Sequence, residues 1–113
     1  MLRKIIAVMA VFTLIAVQTS FAGAADSAAG GAKYKKFCVA CHGATGAGDG
    51  PASAKLKPQP KALSATTKSD TDLAKIIKDG GEANGLSAKM RGFGKVLSDE
   101  DVANVVAFIR TLK

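Results

Sequence analysis

The sequence predicts an all-α fold in which a first and a last helix cross, with a middle helix and loops between them. Three observations predict it. Ala28 to Phe37 has no β-branched run and reads as a helix leading into the cluster at 38–42. Leu73, Ile76 and Ile77 recur at i, i+3, i+4 spacing, and Val102, Val105, Val106, Ile109 and Leu112 form one apolar stripe at the same period.

The chain opens on a positive start, Met1-Leu2-Arg3-Lys4. An apolar run from Ile5 to Val17 follows, then Gln18-Thr19-Ser20 and the small-residue site Ala22-Gly23-Ala24. This is the pattern of a secretory signal peptide, residues 1–24, cut after Ala24. As a helix its apolar part spans roughly 20 Å, short of the roughly 30 Å hydrocarbon core, so no permanent membrane span is expected after cleavage. Residues 25–113 form one small domain, and with Arg3 and Lys4 gone the net charge falls from +7 to +5. Its only aromatic residues are Tyr34, Phe37, Phe93 and Phe108. A domain this short often needs a staple or a bound body to complete its interior.

Asp26 and Ser27 are placed to cap the first helix, with Gly30 and Tyr34 on one face for a close helix crossing. Next comes Cys38-Val39-Ala40-Cys41-His42, holding both cysteines and the only histidine. C-x-x-C-H is the spacing of covalent haem attachment. The two thiols lie about one helical turn apart and reach the vinyl groups on one porphyrin edge, while His42 offers the proximal nitrogen to iron. Three other readings compete. A thioredoxin-like dithiol belongs between strand and helix, but a helix precedes this motif. A structural zinc needs four ligands, and two thiols with one imidazole are one short unless a carboxylate joins them. A plain Cys38–Cys41 disulfide also suits an exported chain.

Gly43 to Pro51 is too rich in glycine for a helix or strand interior and is expected as a loop. It lacks both the Gly-Lys-Ser/Thr ending of a P-loop and a G-x-G-x-x-G between strand and helix. Such a loop suits a tight pass beside a flat ring, with the Pro51 carbonyl as the expected acceptor for the second N–H of His42. Ala52 to Leu56 is expected as a short helical turn, ended by Pro58 and Pro60. Leu56 and Leu63 are candidate haem contacts, and Lys61, Ser64, Thr66 and Thr67 are candidate propionate partners or plain surface residues.

The middle helix is expected from Thr71 to Asp79, capped by Ser69 or Asp70 and stopped by Gly80-Gly81. Glu82 to Leu97 reads as a loop carrying Met90, the only methionine left once Met1 and Met9 are removed with the leader. With one histidine in the chain, bis-histidine ligation is excluded. The second axial position falls to Met90, a lysine, Tyr34, Asn84, water or nothing. A soft sulfur on a loop suits haem iron, whereas methionine as a core filler is the other use. Ser98-Asp99-Glu100-Asp101 opens the last helix as a capping-box-like start with Leu97 and Val102 as a staple, and Phe108 is expected opposite Gly30 and Tyr34.

From Gly30 to Leu112 the chain resembles a small mono-haem class I cytochrome c. The resemblance is carried by Cys38 to His42, the Gly-Asp-Gly-Pro ending at Pro51, Met90 three residues before Phe93, and the Gly30, Tyr34 and Phe108 set. It implies the all-α cytochrome c fold wrapped round one covalent haem c, with Cys38 and Cys41 as attachment points and His42 and Met90 as iron ligands. It also implies a periplasmic one-electron carrier and not an enzyme. Such proteins commonly carry proline after the ligand methionine, and here Arg91 stands there, placing a positive charge near the iron. The basic surface suits redox partner proteins with acidic docking surfaces, while no motif points to nucleic acid. Two other functions remain: a haem enzyme or gas or peroxide sensor with an open distal site, and a haem-free dithiol oxidoreductase.

Overall fold

The protein is described here by a computed structural model covering residues 24–113, so the expected leader, but for Ala24, lies outside the described residues. Four helices carry the fold: α1 (Ser27–Phe37), α2 (Val39–His42), α3 (Asp70–Asp79) and α4 (Asp99–Ile109). Three short 3-10 turns, Ser53–Lys55, Leu63–Ala65 and Glu82–Asn84, punctuate the loops, and no strand occurs among the described residues. The all-α expectation holds.

α1, α3 and α4 each start where a side chain satisfies the first free N–H groups. The Asp26 carboxylate accepts from Ala28 and Ala29 at 2.9 and 3.1 Å. The Ser69 hydroxyl accepts from Asp72 at 3.1 Å, and Ser98 and Asp101 form a reciprocal capping box at 3.0 and 3.1 Å. α3 stops at Gly80, where φ of +89° takes the chain out of helical geometry. The first helix does not run unbroken through the cysteine motif. It ends at Phe37, Cys38 turns away with φ −115°, and α2 begins afresh at Val39.

α1 and α4 cross at a contact too close for any side chain on α1. A Cβ on Gly30 would lie 1.8 Å from the Asn104 carbonyl oxygen and 2.8 Å from the Val105 nitrogen. The residue opposite Gly30 is therefore Asn104. Phe108, expected there, faces Gly31, at whose Cβ position its ring would stand 3.0 Å away, and it meets Tyr34 with ring centroids 4.9 Å apart. The buried Asn104 side chain accepts the Asp26 N–H at 2.8 Å, fastening the start of α1 to α4.

Leu73 and Ile77 of α3, Phe93, Leu97, and Val102, Val105, Val106 and Ile109 of α4 form one buried cluster. Phe37, Leu63 and Met90 pack on its rim, half-buried. Thus the residue before Cys38 and the lone methionine border the same apolar body. The rings of Phe37 and Phe93, 5.9 Å apart, join the cysteine motif to the Met90 loop across one aromatic contact. Fold and site meet at that contact.

Candidate functional site

α2 presents the motif as a single turn, and the glycine-rich loop after it folds straight back along that turn. The N–H groups of Gly48, Gly50 and Ala52 donate to the carbonyls of His42, Cys41 and Ala40 at 2.8, 3.2 and 2.8 Å. The orphan carbonyls at the end of α2 are thereby satisfied by the loop. Only glycine fits where this reversal begins. Gly43 has φ of +80°, and a Cβ there would lie 2.0 Å from Asp49 Oδ1.

Tyr34 holds the same reversal from the α1 side. Its buried hydroxyl donates to the Gly43 carbonyl at 2.6 Å, one residue past His42. Burial, with Cys38 and Asp49 adding, pushes the phenol up to about 12, so it remains a donor throughout the neutral range. Tyr34→Phe keeps the ring against Phe108 but leaves the Gly43 carbonyl with only the Gly46 N–H, at 3.2 Å. The expected loss is about 1 kcal/mol in urea unfolding.

Cys38 is buried, Cys41 and His42 are half-buried, and both thiols are free. Burial first, and the Cys41 thiol second, push Cys38 up to about 11. A reactive dithiol needs the reverse shift, toward a thiolate at neutral pH, and it needs a strand that the described residues do not contain. Nor do three His, Cys, Asp or Glu side chains converge as a metal-holding group among the described residues, which counts against the zinc reading.

Burial lowers the pKa of His42, keeping the imidazole neutral with a lone pair free for a metal. Its Nδ1 is buried without a hydrogen-bond partner. The Pro51 carbonyl, expected to accept from this ring, makes no hydrogen bond to its Nδ1. An orphaned buried nitrogen is costly unless another group engages the ring. Two thiols a turn apart, a neutral imidazole beside them and an apolar rim form a donor set that fits a covalently attached haem.

Met90 lies on the core rim, near His42. Of the other distal candidates, Tyr34 is committed to Gly43, and the Asn84 side-chain amide donates to the Gly80 carbonyl at 2.8 Å, closing the end of α3. Leu63 packs on the core and Leu56 is half-buried, whereas Lys61, Ser64 and Thr67 are exposed and the Thr66 hydroxyl accepts from the Lys68 N–H. Sequence reasoning missed Asn104, which braces the Tyr34 helix. Its only sequence signal was a polar residue set inside an apolar stripe.

The model of the family described as cytochrome c matches residues 27–113. Cytochrome c-554(548) of Halomonas halodenitrificans is 39% identical over 85 residues, spanning 75% of this chain and 94% of that protein. Among solved structures, a chain of the Kuenenia stuttgartiensis reducing HAO-like protein complex is similar with a TM-score of 0.63 at 26% identity. That similarity covers 74% of this chain and 40% of the other, so this chain spans less than half of that one. No helix of the described residues is long and apolar enough to cross a membrane.

Proposed function

The chain belongs to the cytochrome c family, and from that premise we propose that it is an exported, periplasmic one-electron carrier with a single haem c. Cys38 and Cys41 would hold the haem by thioether bonds, and His42 and Met90 would be the side chains that ligate its iron. The observation that carries this reading is the buried neutral imidazole of His42, its Nδ1 unpartnered, beside two free thiols in a C-x-x-C-H motif. When bound, the haem supplies the ferric–ferrous couple, and no substrate bond changes.

The chain's own residues orient and enclose. The Gly43–Ala52 loop, clamped to α2 and held by Tyr34, fixes the backbone on either side of the His42 ring. The cluster of Leu73, Ile77, Phe93 and Leu97 excludes water behind Met90. Exposed cations, among them Lys35, Lys36, Lys89, Arg91 and Lys95, give acidic redox partners a surface for salt-sensitive encounter. In this reading residues 1–24 are the leader, residues 25–113 are the working domain, and no enzymatic step is assigned.

Intact-mass spectrometry of protein made in cells competent for haem attachment tests both halves. The expected result is a chain starting at Ala25 with the mass of one added haem. A colourless protein of bare polypeptide mass overturns the reading. Met90→Ala is then expected to abolish the sulfur-to-iron charge-transfer absorption of the oxidised protein and to admit carbon monoxide rapidly to the reduced one. Equally rapid binding by the wild type favours the open-site enzyme or sensor.

A further inference from the structure

The Met90 loop lacks a proline after its methionine, yet it is anchored on both sides of that position. Met90 accepts the Gly81 N–H at 2.8 Å, and Phe93 and Gly94 donate to the carbonyls of Ile77 and Lys78 at 2.8 and 3.0 Å. The last two bonds use the free carbonyl end of α3 as a rack for the loop. Between the anchors lie Arg91 and Gly92, and glycine is the residue with most backbone freedom to lose. Arg91 is exposed but makes no ion pair among the described residues. Its guanidinium carbon stands 5.0 Å from the centroid of the Phe93 ring, and that ring is 6% exposed, seated in the core. The side chain spans Gly92 and closes on a fixed surface two residues ahead.

We propose that Arg91 is a positioning residue for Met90, a latch that folds over Gly92 onto Phe93 and restrains the loop as a proline otherwise would. This rests on Met90 being the iron ligand. A planar cation over a ring face gains attraction from the ring quadrupole and lies flat, as an ammonium does not. Removing it leaves the backbone anchors intact but frees the Arg91–Gly92 hinge, so Met90 leaves its place more often.

The test uses the oxidised haem-loaded protein, with imidazole as the probe that competes with Met90 and the sulfur-to-iron absorption as readout. Arg91→Ala is expected to raise the apparent imidazole affinity roughly two- to fivefold. Arg91→Lys, which keeps the charge and loses the flat stacking, is expected to fall between. An unchanged affinity in Arg91→Ala overturns the latch. Full wild-type behaviour in Arg91→Lys also overturns it, since charge alone would then suffice. Absence of the absorption from wild type instead overturns the assignment of Met90, before any Arg91 variant is compared.

Discussion

Gly30→Ala is expected to destabilise the haem-loaded domain by about 3 kcal/mol, the upper end of what overpacking costs. Intrinsic preference argues the other way, since alanine in a helix interior is favoured over glycine by about 1 kcal/mol. Contact geometry wins because the added methyl would lie 1.8 Å from a backbone oxygen of α4, which cannot swing aside as a side chain does. The helices must separate, and the Asp26 to Asn104 hydrogen bond is stretched with them. For a domain of this size that corresponds to roughly 12–24 °C in Tm. Gly31→Ala is the control. Its methyl meets the Phe108 ring at 3.0 Å, and a ring at the half-buried edge of the crossing is able to turn. If both variants melt like wild type, the crossing is looser than described.

Replacing Cys38 and Cys41 together with alanine is expected to remove the haem and most of the fold with it. Folded domains are stable by roughly 5–15 kcal/mol in total, and anything bound to the native state alone adds directly to that margin. Here the buried apolar side chains among the described residues are only ten, eight of them in one cluster whose single aromatic ring is Phe93, with Tyr34 and Cys38 beside it. His42 would also retain an unpartnered buried nitrogen with nothing to engage its ring. The double variant should have bare polypeptide mass, no visible absorption and a far-ultraviolet circular dichroism signal well below that of the wild type. A cooperative thermal transition near the wild-type Tm would show that the chain folds without the haem.

The features legible in the sequence are those decided within a few residues. Asp26, Ser69 and Ser98 act as caps because an N-cap bond spans two or three residues, so its partners are visible in the local sequence. The apolar stripes of α3 and α4 followed from period alone, and C-x-x-C-H pointed to the family the chain belongs to. What stayed hidden depends on distant partners. Asn104 reads as a polar interruption in α4 until α1 is laid across it, when its carbonyl becomes the floor beneath Gly30 and its side chain the acceptor for Asp26. Nothing near Met90 announces that the end of α3 holds its loop, since those bonds run between backbone groups whatever their side chains.

The hydrogen bond from Asp26 to Asn104 joins residues 78 positions apart. A polypeptide emerging from a ribosome or a translocation channel with its amino end leading displays both thiols long before its closing partner arrives. Until that partner is made, the crossing of α1 and α4 cannot close. By tying its first helical turn to its last helix, the molecule leaves closure of the crossing to the end of the chain: α1 and both cysteines are complete before α4 exists.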